Sequence, residues 1–308
     1  MVVVTLTATQ IQARKHGVGC SELLAALGKD PRCSRLELYK RKVGELPEPD
    51  FSDNERVRWG NLLEDVIRQE VSRRLGHEII VPQQTLVHPD VPLLGHLDGW
   101  IPALRIGTEI KALDKFEIAE FGEDESDQVP VRFLLQCSGY MALTDADRWK
   151  LCPLFGGNDL RMYDIPRNRE IEEALLAGVE DFMAHVRERR PPDPQTPEEV
   201  RMRWPKDIGE PIFATDEIID LCGELAVAKR ELKVATERED RLKSDIQLFM
   251  KDCSELIGPD GKPLATWRSP KPSIKLDQDR LQADHPDIYT QYSREVPNAR
   301  RFLLKGSK

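Results

Sequence analysis
The sequence has no apolar run near the ~18–20 residues needed to cross a bilayer, so a membrane-spanning protein is not expected. Its six cysteines, at 20, 33, 137, 152, 222 and 253, include no CxxC pair. That spacing excludes a zinc ribbon or a cluster clip built from close pairs, and reduced thiols in packed cytosolic positions are expected. A basic excess is also missing: 45 Lys+Arg face 54 Asp+Glu, a net charge of −9. Such a balance argues against a passive nucleic-acid coat, but not against an enzyme that holds cations with carboxylates. Internal repeats and low-complexity tracts are absent. Met1–Gln10 carries a three-valine run without a basic or extended apolar region, so no signal peptide is expected. What remains is 308 residues, 40% hydrophobic and 32% charged. This is the profile of a soluble globular chain, long enough for one large domain plus extra elements.

Proline marks the main division. Arg190–Pro197 holds four prolines in eight residues, which neither a helix nor a central strand absorbs. We expect a domain over 1–190, a linker over 191–215 and a distinct C-terminal region over 216–308. In the first, short helices fit Cys20–Leu27 and Ser34–Lys42, and longer ones fit Asn54–Leu75 (closed by Gly76), 131–144 and 168–189. Strand-like runs lie at 78–81, 84–88, 93–100 and 105–112. A hairpin fits 148–155 and 160–165, turning at Gly156-Gly157-Asn158. The fold class is α/β (α+β), a mixed sheet flanked by helices. In the last region, positions 218 to 256 alternate steps of three and four with only Glu239 breaking the apolar seam, a heptad pattern. It predicts a helix, or an antiparallel helical pair, whose stripe packs on another element. Gly258-Pro-Asp-Gly261 ends it, and Leu264–Trp267 and Arg301–Leu304 fit short strands.

The residues that carry chemistry are Asp98 in Gly95-His-Leu-Asp98-Gly and the pair Glu109/Lys111 in Thr108-Glu-Ile-Lys-Ala. On a strand over 105–112, Glu109 and Lys111 share one face, and Asp98 ends the neighbouring strand. Two such carboxylates converge on a divalent cation, and hard oxygen donors favour Mg²⁺ or Mn²⁺. A lysine beside the ion orients or deprotonates water and offsets phosphate charge. The same spacing alone equally describes an ordinary Glu–Lys pair on a solvated strand. On the 54–75 helix, Glu64 falls inside the stripe Val57, Gly60, Leu63, Ile67, Val71 and Leu75. There it is costly unless a metal or base pairs with it, or unless it snorkels outward. Gly60 leaves room for a close approach. On the 131–144 helix, Gln136 and Tyr140 share a face with Phe133 and Leu143, and their polar ends want partners.

The order Gly60-x-x-x-Glu64, Asp98, Glu109-x-Lys111, Gln136-x-x-x-Tyr140 resembles the PD-(D/E)XK nuclease superfamily, its RecB-like branch in particular. The opening Arg14-Lys-His-Gly-Val-Gly-Cys-Ser21, with Leu27-Gly28 and Leu38-Tyr39, is similar to that of the YqaJ and lambda-exonuclease family of phage recombination nucleases. The resemblance covers about residues 10–190. It implies a restriction-endonuclease-like core in which Asp98, Glu109 and the Ile110 carbonyl ligand the metal and Glu64 completes or supports a second cation site. Lys111 would position or activate water, with Gln136 assisting, and Arg14 and Ser21 would hold a 5′-phosphate. Cys20 departs from the glycine common at its position in relatives, which touches the loop geometry.

The activity so implied is Mg²⁺-dependent 5′→3′ degradation of one strand of linear duplex DNA, leaving a 3′ single strand for an annealing protein. The resemblance further implies a homotrimer and a cytoplasmic, phage- or prophage-encoded enzyme. An endonuclease or nickase using the same residues, and a non-catalytic coiled-coil assembly factor, are the alternatives. DNA-binding charge has to come from a local patch, and Lys29–Lys42, including Arg35, is the candidate, with Tyr140 as a further contact. The acidic segment 117–127 reads as a mobile flap or a plain solvated loop. The C-terminal seam would serve self-association, partner binding or, most simply, an intramolecular helical hairpin.

Overall fold
The computed structural model describes residues 15–294 and 300–305; Arg14, expected at a DNA end, lies outside them. The chain divides at Val200/Arg201 into two compact units. Among the described residues, no helix is long and apolar enough to cross a membrane.

The first unit opens with β1 (Val18–Gly19), a 3₁₀ turn (Cys20–Glu22) and two short helices, α1 (Leu23–Ala26) and α2 (Arg35–Lys42). Helix α3 (Glu55–Leu75) starts where the Asn54 side chain accepts from Arg56 and Val57 N–H at 3.0 and 3.2 Å, and it stops at Gly76, whose φ of 68° suits glycine. Strands β2 (Leu86–Val87), β3 (Leu93–Gly95), β4 (Gly99–Ile101) and β5 (Ile106–Leu113) follow. After α4 (Val131–Thr144) come β6 (Arg148–Phe155), β7 (Asp159–Leu160) and β8 (Tyr163–Pro166). Helix α5 (Arg169–Arg187) is capped by Asn168.

The main sheet runs β4-β5-β6-β7, with β8 also on β6. β5 and β6 are parallel, Glu109 opposite Leu151 and Lys111 opposite Pro153, while β4 and β8 pair antiparallel to them. The sheet is therefore mixed and flanked by helices. On one face, Ile67 and Val71 of α3 pack on Ile110 and Cys152. On the other, Phe133, Cys137, Tyr140 and Met141 of α4, with Leu175, Val179 and Phe182 of α5, enclose Trp149, Leu151 and Phe155. Alternation along β5 thus sends Ile110 toward α3 and Glu109 toward α4. β1 and β2 form a separate small sheet on either side of β3.

Several expectations need correction. The run 93–100 is two strands in two sheets, interrupted at His96–Asp98, so Asp98 stands in the gap before β4 rather than at a strand end. The run 78–81 supplies only a bridge from Ile80 to Trp100, and 160–165 is split into β7 and β8. The proline-rich stretch up to Val200 belongs to the first unit. Buried Glu199 accepts there from the Gln195 and Thr196 N–H groups at 2.6 and 3.0 Å.

In the second unit a single helix, α6 (Asp216–Met250), is capped by Thr215. It is neither a helical hairpin nor packed along its seam: Ile218, Leu221, Leu232, Leu242, Ile246 and Phe249 are exposed. The helix ends before Leu256, which sits instead in strand β9 (Glu255–Ile257), paired with β10 (Pro263–Thr266) across the Gly258–Gly261 turn. No strand forms at Arg301–Leu304, and a coiled coil is not established. Short helices at Pro197–Arg203, Gln278–Asp284 and Pro286–Tyr292 complete the described chain.

Gly107 is the tightest point of the main sheet. A Cβ there would fall within the indole of Trp149, its partner on β6. Gly107→Ala is expected to destabilise the first unit by ~3 kcal/mol, the upper end of overpacking costs, read as a lowered urea midpoint at unchanged slope.

Candidate active site
Glu109 is fully buried on the central strand. Its Oε1 accepts from Gln136 Nε2 at 2.6 Å and pairs with the Lys111 ammonium, while its Oε2 is buried with no hydrogen-bond partner. Gln136 also donates to the Tyr140 hydroxyl at 3.1 Å. Behind Tyr140, the Trp149 ring stacks at 5.2 Å and 21°, occupying the space that Gly107 leaves. The carboxylate is thus aimed by a chain of packed groups rather than by loops.

Asp98 reaches the same place from the gap before β4. Its Oδ2 accepts from the Ile110 N–H at 2.9 Å and lies 4.0 Å from Lys111 Nζ. Arg68 holds this gap from α3, donating to the Asp98 carbonyl at 3.0 Å and to Glu64 Oε1 at 3.3 Å. Glu64 is half-buried and feels the Asp98 and Lys111 charges. Arg68 went unnoticed in the sequence, although its i,i+4 spacing from Glu64 was a readable signal. Gly60 accommodates no close neighbour: a Cβ there would meet nothing within 4 Å.

The electrostatics follow from burial. Burial, reinforced by the Asp98 charge, pushes the Glu109 carboxyl up to about 8 against the pull of Lys111. Burial and then Asp98 also raise Glu64. Burial pulls Lys111 down, but Glu109 and Asp98 together outweigh it and hold the ammonium charged.

Among the described residues, no three His, Cys, Asp or Glu side chains close into a metal cluster. The unpartnered Glu109 Oε2 beside Asp98 nevertheless fits a hard divalent cation, because a buried carboxylate oxygen without a donor is costly.

Lys111 and Gln136 open onto a groove of about 1290 Å³. Its walls include Ser21, Phe116, the cations Lys29, Arg32, Arg56 and Arg132, and the carboxylates Asp30, Asp114, Glu117 and Glu120. Ser21 is placed there because Gly139 of α4 lets Cys20 and Leu23 pack close. Most of the expected basic patch is spent internally. Arg35 pairs with Asp181 and stacks on Phe182, Arg41 pairs with Glu37, and buried Lys42 lies 2.6 Å from Glu22. Arg35 therefore stands apart from the groove, and Tyr140, expected at DNA, is a buried support for Gln136. The segment 117–127 is not a flap. Glu117 binds Arg56 and Arg132, Phe121 packs on Phe133, Phe155 and Tyr163, and Asp124 accepts from Met162 N–H at 2.8 Å. Arg56, Arg132 and Phe116 were missed in the sequence; nothing in their spacing tied them to the motifs.

The mixed sheet thus presents carboxylates and a lysine beside a groove lined by both cations and carboxylates, and comparisons with known proteins agree with the order of motifs. Residues 11–147 match the model of the YqaJ-like viral recombinase domain. The chain is similar to the uncharacterized protein YqaJ of Bacillus subtilis (strain 168), 24% identical over 301 residues that cover 95% of this chain and 92% of that protein. Among solved structures it is similar to the alkaline exonuclease LHK-Exo from Laribacter hongkongensis, at TM-score 0.49 and 17% identity, covering 59% of this chain and 94% of that one. The complex of LHK-Exo with dAMP gives the same TM-score and identity over 64% and 97%.

The buried carboxylate has a measurable cost. Because Glu109 binds its proton more tightly folded than unfolded, the native state loses stability as pH rises from ~4.5 to ~8. In EDTA, Glu109→Gln is expected to melt several degrees higher than the parent at pH 9, with the gap closing at pH 5. Equal melting at pH 9 rejects this account.

Proposed function
We propose that the chain is a metal-dependent deoxyribonuclease that degrades linear duplex DNA from its 5′ ends, leaving 3′ single strands for recombination. The observation that carries the hydrolytic part is the buried Glu109 oxygen without a donor, set beside Asp98 and Lys111 at a groove that also holds Lys29 and Arg32. Asp98, Glu109 and the Ile110 carbonyl would hold Mg²⁺, or Mn²⁺ in its place, with Glu64 at the edge. The ion supplies Lewis-acid stabilisation of a phosphate oxygen and lowers the pKa of water.

The chain's own groups do the rest. Gln136 fixes the Glu109 carboxylate in one rotamer. Lys111, held charged, offers its ammonium to the attacking water or to charge developing on the phosphate. Lys29, Arg32 and Ser21 line the route for the DNA backbone. The 5′→3′ polarity, the Arg14 and Ser21 phosphate grip, a homotrimer and an annealing-protein partner rest on the family resemblance.

Linear duplexes with and without 5′-phosphates, incubated with Mg²⁺ or with EDTA, test the proposal. Mg²⁺-dependent release of nucleotides, faster from phosphorylated 5′ ends and absent on closed circles, is expected. Lys111→Ala and Glu109→Ala should each lower the rate by ~10²–10⁴-fold while remaining folded. Rapid cutting of circles, or wild-type rates in both variants, would falsify it.

A further inference from the structure
Phe116 sits on the 3₁₀ turn Lys115–Glu120, directly after the strand that carries Glu109 and Lys111. Its ring is 91% exposed, yet it lines the same groove as Lys111 and Gln136. The other apolar side chains nearby behave oppositely: Ile118 and Phe121 pack into the core. The turn therefore had apolar anchors available and still leaves one phenyl ring in water.

The support beneath that ring is firm. The Glu117 N–H donates to the Asp114 carbonyl at 3.0 Å, and the Glu117 carboxylate binds Arg56 and Arg132 on two different helices. Glu120 binds Arg132 at 2.7 Å. A flat apolar face on a fixed mount, with cationic Lys29 and Arg32 lining the same groove, combines two recognition chemistries. Nucleobases stack on exposed aromatic rings whatever their sequence, and cations take the phosphates. Inside an intact duplex the bases are stacked on one another and offer a free face only at the ends, and a side chain reaches the whole of a base once it is unpaired, so the combination suits an unpaired terminal nucleotide.

We propose that Phe116 is a nucleobase-stacking residue that seats an unpaired end nucleotide in the groove, with its phosphodiester toward Lys111. Its place in catalysis rests on the nuclease reading above; its contact with DNA is measured without hydrolysis.

The test uses the full-length protein in EDTA and a short duplex with a frayed end bearing 2-aminopurine at the terminal position. The wild type is expected to quench the 2-aminopurine fluorescence. Phe116→Ala should abolish the quench and weaken binding about tenfold, and Phe116→Trp should restore both. All three proteins should melt alike, since the ring touches solvent. Equal quenching and affinity in Phe116→Ala, the result expected if the ring serves a protein partner, overturns the proposal, as does failure of Phe116→Trp to restore the quench. Hydrolysis of the same duplex by the wild type in Mg²⁺ reports on the nuclease reading separately: quenching without hydrolysis would sink that reading and leave this one standing.

Discussion

Everything around the site answers one electrostatic demand: a carboxylate has been taken out of water in the middle of a sheet. Glu109 is satisfied on one oxygen by Gln136 and Lys111 and left without a donor on the other. A group in that state is expensive to keep, and its surroundings are built to keep it oriented. The missing side chain at Gly107 admits the Trp149 indole, the indole backs Tyr140, and the Tyr140 hydroxyl takes the second hydrogen of the Gln136 amide. From the opposite layer, Arg68 ties Glu64 to the main chain at Asp98. The two helical layers thus meet at the interrupted edge of the sheet, each delivering part of one polar cluster.

Much of this arrangement was legible in the chain. The helices at 55–75, 131–144 and 169–187 announce themselves by apolar periodicity with Asn54, Gly76 and Asn168 at their ends. The Glu109/Lys111 alternation places both residues on one face of a strand, and the four-residue spacing of Gln136 and Tyr140 puts an amide and a phenol side by side. These are local rules, and local rules survive folding.

Apart from Arg68, whose signal was local, what escaped depended on distance along the chain. The basic segment 29–42 looks like a phosphate-binding face until its acidic partners are found at Glu22, twenty residues before Lys42, and at Asp181, on another helix. The run 93–100 looks like one strand because nothing in its apolar pattern records that its two ends pair in different sheets. The heptad seam of the second unit satisfies the periodicity of a packed helix while its apolar residues stand exposed. Periodicity describes what a face is able to bury, not whether a partner is present.

The acidity of the chain takes on a different sense at the groove. Arg56 and Arg132 are already engaged by Asp114, Glu117 and Glu120. A polyanion that seeks these arginines must therefore compete with carboxylates fixed to the protein, rather than with mobile anions in solution. On the proposed reading, occupancy by DNA becomes an ion exchange within the molecule, in which multidentate phosphate displaces the resident acids. Because the resident acids cannot be diluted away, this exchange depends less on bulk ionic strength than a bare cluster of arginines does. On that reading the protein supplies its own standard of affinity against which an incoming chain of phosphates is weighed.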